Sequence, residues 1–235
     1  MKLSFSRGNA KLSKDIYTFS LPAGHTCPGA HLCASYADRV SGKITDGQHT
    51  EFRCFAASQE SMHPSVRKSR WTNYEMLKAV KTADAMAELI LSSLDTSAKY
   101  VRIHVSGDFF NSHYFRAWAY VATQRPLTIF YAYTKSIKIV RANLSVIPEN
   151  FRLTLSEGGK NDSLIPQLGI KSAKVVFSPE EADILGLTVD HDDSHAFDGN
   201  ESFALLLHGT QKSGTDAARA LNQMRKDNVK FSYSK

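Results

Sequence analysis

Cysteine is scarce. There are three in 235 residues, and all of them fall between positions 27 and 54. An odd count leaves one thiol over when disulfides close, so a secreted disulfide scaffold is not expected. Long apolar runs are missing too: no stretch approaches the roughly 18 residues that a membrane helix needs. The start, Met1-Lys2-Leu3-Ser4-Phe5, lacks the apolar core of an export signal. The expectation is a cytoplasmic protein without membrane association, whose reduced thiols remain available to a metal. The GxGxxG, Walker A, HExxH and GxSxG patterns are also absent, which removes support for nucleotide hydrolysis and serine-hydrolase chemistry. No repeat, low-complexity tract or Pro-rich linker divides the chain. A single α/β domain over 1–235 is therefore expected, with a loop region over 22–71 and βα repeats over 72–235.

What is present is an ordinary globular composition, 42% hydrophobic and 22% charged. The net charge of +6 favours phosphate-bearing partners. Only the run His63-Pro64-Ser65-Val66-Arg67-Lys68-Ser69-Arg70-Trp71 concentrates it. That run reads either as a solvated loop or as a patch that contacts nucleic acid through Arg67, Lys68 and Arg70.

The three cysteines sit in a segment rich in Gly, Pro, Ser and His, with five residues between Cys27 and Cys33 and twenty between Cys33 and Cys54. Soft thiolates gathered in a polar loop of an otherwise cysteine-free chain are ligands for an iron–sulfur cluster or for zinc. The spacing contains no CxxC pair and is not that of a zinc finger, so it leaves the metal open. The other reading is three separate cysteines, each a small buried hydrophobe.

Around this loop the chain alternates. Ile16 to Leu21 reads as a strand halted by Pro22, and the cysteine loop that follows runs about 50 residues before the next clear element. Thr72-Asn73-Tyr74-Glu75 has the form of a capping box, and Met76, Leu77, Val80, Ala83, Ala87 and Ile90 predict a helix over about 73–93. Strands are predicted from Tyr100, Thr128, Phe151, Ala173 and Phe203. The helices between and after them run over 112–124, 137–146, from Ser178 to Gly186, and 216–226, with a short turn over 163–168. Strands alternating with helices imply a parallel sheet, open or curled, with reactive groups at the carboxyl ends of the strands. Ser106-Gly107-Asp108, Thr134-Lys135, Ser156-Glu157, Ser178 and His208-Gly209-Thr210 would then converge on one mouth, and the cysteine loop would open on the same side.

A three-cysteine loop after the first strand, a second strand ending in a small-Gly-acid tripeptide and about six βα units resemble the radical S-adenosylmethionine (SAM) superfamily. The resemblance implies a partial (β/α)6 TIM-like barrel. It implies a [4Fe-4S] cluster on Cys27, Cys33 and Cys54, and SAM held by Ser106, Gly107 and Asp108, with Ser156 from the converging strand ends beside them. The departure is the spacing, since that superfamily separates its cysteines by three and then two residues. The stretches Cys27-Pro28-Gly29-Ala30, Arg53-Cys54-Phe55-Ala56-Ala57, His104-Val105-Ser106-Gly107-Asp108-Phe109-Phe110, Phe130 to Lys135 and His191 to His195 also resemble a bacteriophage gene-product family, which implies the host cytoplasm as compartment. The expected function is thus an iron–sulfur protein of radical SAM type with an unidentified substrate. The alternatives are a metal-stabilised nucleic-acid binder and a metal-dependent nuclease using Asp108 with the Asp190 to His195 loop. Lys135 and Glu157 are expected to pair or to serve as acid and base, His104 to be a core histidine, and His208 to lie nearer the mouth.

Overall fold

The computed structural model describes residues 2–8 and 12–230. Its centre is an eight-stranded sheet in the order β1 (Ser6–Arg7), β2 (Ile16–Ser20), β5 (Tyr100–Ser106), β6 (Ile129–Thr134), β7 (Phe151–Ser156), β8 (Ser172–Val176), β10 (Phe203–Leu206), β9 (Thr188–Val189). Every pairing is parallel except that of β1 with β2. The six strands read from the sequence are β2, β5, β6, β7, β8 and β10, and they lie side by side in chain order. A small antiparallel hairpin, β3 (Ser35–Ala37) with β4 (Ile44–Asp46), stands apart. This is a mixed α/β fold with a mostly parallel central sheet.

Alternation along the strands separates two layers. Val101 and Ile103 of β5, Phe130 and Ala132 of β6, and Phe151, Leu153 and Leu155 of β7 bury against α3 (Ala83–Ser93) and α4 (Ser112–Gln124). Val176 of β8 and Leu206 of β10 do the same against Ala217, Leu221 and Met224 of α8 (Asp216–Lys226). The opposite face carries the short α7 (Ser194–Phe197), whose Ala196 and Phe197 pack on Tyr131 and Phe203. Four of the described helices start where a side chain satisfies a first free amide, at Thr82, Asn111, Thr215 and Ser178: Thr215 accepts from Ala218 N at 3.2 Å, Asn111 from Tyr114 N at 2.8 Å and Ser178 from Glu181 N at 3.2 Å. The last of these opens α6 (Pro179–Ile184).

The region read as one long loop is the main correction. It contains the β3/β4 hairpin, α1 (Phe55–Met62) and α2 (Pro64–Ala79). The single helix expected over 73–93 is two, because α2 ends at Ala79 and Thr82 caps α3 by accepting from Ala85 N at 3.2 Å. Thr72 is therefore no cap. It lies inside α2, and its hydroxyl donates to the Lys68 carbonyl one turn back. The helix expected over 137–146 is also divided, into α5 (Ile137–Arg141) and a 3₁₀ turn at Leu144–Val146. The charged loop at 190 contains α7, which sequence reading missed.

Strand β5 carries the fold's main irregularity. Its pairing with β2 steps from Thr18↔Arg102 to Ser20↔Ser106, so β5 holds two extra residues, and His104 there adopts φ +68°. The bulge turns the imidazole into the helix-side core, where Nε2 lies 3.1 Å from the Tyr114 hydroxyl and the ring meets Phe109 edge-on. Burial, reinforced by the Arg102 charge, lowers the His104 pKa to about 3. The native ring thus stays neutral where the unfolded one, with a pKa of about 6.5, takes up a proton. Its contribution to stability is intact above about pH 6.5 and is lost as pH falls toward 3. Urea unfolding between pH 7 and 4 will show stability falling with acid by up to about 1.4 kcal/mol per pH unit from this group. A His104→Asn variant, whose side chain tolerates positive φ, will lose that increment of slope.

Candidate functional site

The cysteine loop lies across the carboxyl ends of the strands, and backbone contacts sew it there. After β2 the chain turns at Pro22, whose carbonyl accepts from the Thr26 hydroxyl at 2.8 Å. Gly29 then presses on the end of β6. A Cβ at that position would stand 1.9 Å from the Lys135 carbonyl oxygen, so only glycine permits the approach. The turn after β7 continues the seam: Lys160 N donates to the Gly29 carbonyl at 2.9 Å, and Leu32 N to the Gly158 carbonyl at 3.0 Å. These contacts place Cys27 and Cys33 over β6 and β7.

Cys54 arrives from the other side. Arg53 makes a two-pronged bridge to Asp46, at 2.9 and 2.7 Å. Its amide donates to the Gln211 side chain at 2.8 Å, and the Ser58 hydroxyl to the Thr210 carbonyl at 3.1 Å. Cys54 thus heads α1 beside the end of β10. Thiols 27 residues apart in the chain meet because one end of the loop is fastened to the middle of the sheet and the other to its far side.

The seven residues singled out from the sequence, Cys27, Cys33, Cys54, Ser106, Gly107, Asp108 and Ser156, all line one chamber of about 180 Å³. Lys135 and His208 lie on its wall as well. Burial raises all three thiol pKa values. Cys27 is pushed further up by Asp108 and the other two thiols, and Cys54 reaches about 11 with Cys33 contributing. For Cys33 burial dominates and the nearby Lys135 ammonium opposes it. Each thiol is therefore held in its protonated form more strongly than a free cysteine would be.

Asp108 is buried and braces strand ends. Oδ1 accepts from Phe109 N at 2.7 Å and the Thr134 hydroxyl at 2.6 Å, and Oδ2 from Lys135 N at 2.8 Å. Burial outweighs these donors and raises its pKa to about 6. Gly107, at φ +83°, leaves room for Thr26 and Leu21, to which a Cβ would come within 2.6 and 2.7 Å. Lys135 and Glu157 do not form the expected ion pair. The ammonium donates to the Glu157 main-chain oxygen at 2.5 Å, while the Glu157 carboxylate accepts from Ser172 at 2.7 Å.

The loop at 190 takes structural roles. Asp193 accepts from Arg102 at 2.5 Å and from the Tyr131 and Tyr133 hydroxyls at 3.3 Å each, and Asp190 meets His195 Nδ1 at 3.1 Å. Asp193 and Arg102 reach the chamber; His191 and Asp192 are exposed. Among the described residues no group of three or more His, Cys, Asp and Glu side chains is gathered so that it could hold a metal ion. The basic run forms the start of α2, and Arg67 and Arg70 turn inward. Arg67 donates to the carbonyls of Arg39, Val40 and Glu60, and Arg70 to that of Ala56 and to the Glu60 carboxylate. Lys68 is the one cation of the three at the surface. No helix among the described residues is long and apolar enough to cross a membrane.

Glu60 is the residue that sequence reading missed. It is wholly buried, and its Oε1 accepts from Ala23 N at 2.9 Å, Arg70 Nη1 at 2.9 Å and the Ser106 hydroxyl at 3.1 Å. It joins the loop, both flanking helices and the end of β5. The signal available was its spacing, four residues after Ala56 on the face that α1 turns to the chamber. Glu60→Ala strands the buried Arg70 charge, and urea titration will show a loss of about 3–5 kcal/mol. Gly29→Ala will cost about 1–3 kcal/mol by overpacking against Lys135, and limited proteolysis will then cut the 24–54 loop faster.

A family model described as Gene product 88 (GP88) matches residues 3–226. No curated protein and no solved structure matches the chain.

Proposed function

The chain belongs to the Gene product 88 family, and from the geometry of its cysteine chamber we propose that it is an iron–sulfur protein of radical SAM type. In this reading Cys27, Cys33 and Cys54 hold a [4Fe-4S] cluster and SAM binds beside it. The observation that carries the proposal is the convergence of all three thiols on one chamber at the carboxyl ends of a parallel sheet. The donor set suits a cluster: three soft thiolates line the same chamber, and a four-iron cluster takes each thiolate on a different iron. When bound, the cluster would supply the electron for reductive cleavage of SAM.

The chain's own residues divide the remaining work. Ser106 and Gly107 present a polar strand end with close backbone access, and Ser156 adds a hydroxyl from β7. Asp108 keeps the ends of β5 and β6 together and lends negative charge to the wall nearest Cys27. Lys135 offsets the charge that Cys33 acquires on losing its proton. The finer reading of the fold, a partial (β/α)6 barrel, is supported by a strand order that runs from β2 to β10 without the reversal of a doubly wound sheet, and by the placing of α3, α4 and α8 on one face.

The nucleic-acid alternative loses its main support with Arg67 and Arg70 turned inward. Anaerobic purification followed by iron and acid-labile sulfide analysis tests the proposal. About four irons and four sulfides per chain are expected, with a brown colour that Cys27→Ser, Cys33→Ser and Cys54→Ser each abolish. 5′-Deoxyadenosine should then form on addition of SAM and a reductant. A colourless protein containing zinc would overturn the assignment.

A further inference from the structure

The chamber has two chemically different walls. Thiols and polar strand ends form one. The other is apolar: Phe52 and Phe55 from the loop and α1, Val175 of β8, Leu205 of β10 and Leu207 just beyond it. Val175 and Leu205 are register partners, side by side in the parallel ladder. Their neighbours Val176 and Leu206 face α8, so period-two alternation turns Val175 and Leu205 to the inner face. There they are only partly buried, as are Phe52 and Phe55. Phe55 is held in place by His208, whose ring centroid lies 4.8 Å away, and by Gly209, where a Cβ would come within 2.8 Å of the Phe55 Cβ.

The floor below this wall is polar, and its Arg102 and Asp193 charges are paired with each other. Arg102 spends its charge on Asp193, and the Tyr133 hydroxyl donates to the same carboxylate. A charged ligand group would have to break that set to find a partner. An uncharged apolar group would instead cover half-buried carbon, at about 25 cal/mol per Å² of apolar surface removed from water.

We propose that the wall formed by Phe52, Phe55, Val175, Leu205 and Leu207 seats an uncharged apolar moiety, aromatic or short aliphatic, of the molecule on which the thiol side of the chamber acts. The assignment of the opposite wall as the reactive one rests on the function proposed above; the apolar seat itself does not. The chamber as a whole, thiol wall included, has about 180 Å³, and about 150 Å³ suffices for benzene, so in metal-free protein benzene has room against this wall.

Benzene is therefore the probe, titrated into metal-free protein carrying labelled Leu and Val methyl groups and followed by NMR. Saturable shifts at Val175, Leu205 and Leu207 are expected. Leu205→Gln should weaken binding about tenfold, and Leu205→Trp, which fills the seat without adding charge, should abolish it. Both variants should keep the iron content of the parent. Shifts confined to exposed side chains such as Leu127 and Ile184, or no saturable shift, would overturn the inference. Protein that takes up iron but not benzene leaves the cluster assignment standing and removes the apolar seat. Protein that takes up benzene but not iron does the reverse.

Discussion

A single buried carboxylate holds the mouth of this sheet in shape. Glu60 has no contact with solvent, yet one of its oxygens takes hydrogen from the loop after β2, from α2 and from the end of β5. A charge in that position is tolerable only with a partner of opposite sign and several donors, and Arg70 with the Ala23 amide and the Ser106 hydroxyl supplies both. Arg67 adds a bond to the Glu60 main-chain oxygen. The helix that begins at Cys54 is thereby locked against the strand that ends at Ser106. Because hydrogen bonds have direction, this lock sets the orientation of the site in a way that apolar packing of α1 would not.

The loop that carries the thiols behaves as a strap across the sheet. It is fastened at the ends of β6 and β7 through Gly29 and Leu32, and at the end of β10 through Arg53 and Ser58. Between the two fastenings the chain has room for a hairpin of its own, β3 with β4, whose Asp46 returns to hold Arg53. Burial then makes the thiols reluctant acids, since taking a thiolate out of water costs more than keeping its proton.

Much of the parallel sheet was legible. Ile16–Ser20, Tyr100–Ser106 and Phe151–Ser156 announced themselves by β-branched and aromatic runs ending in Ser, Gly or Pro, and α4 and α8 by clean helical spacing between capping residues. The reading failed where local signals were ambiguous. Thr72-Asn73-Tyr74-Glu75 satisfies the pattern of a capping box, but α2 already runs through it from Pro64, because burying Arg70, Asn73 and Leu77 on one face outweighs a local cap. The segment 55–71 looked like loop because its inward face carries Glu60, Arg67 and Arg70 in place of aliphatic residues. An amphipathic period drawn in charges is invisible to a hydrophobic count. In the Asp190 to His195 loop, set beside Asp108 in the nuclease alternative, Asp193 has structural partners that no local signal shows, because Arg102, Tyr131 and Tyr133 lie 60 to 91 positions away.

By itself the sequence determined that the cysteines are a group, that strands and helices alternate after them, and that polar residues end the strands. These are properties of neighbours, and composition and period report them. Only the tertiary structure decided that the thiols line one chamber, that Asp108 spends its oxygens on two backbone amides and the Thr134 hydroxyl, and that two of three clustered cations are internal. Each of those depends on which distant groups share a buried space, where an unpartnered charge or donor is too costly to leave alone.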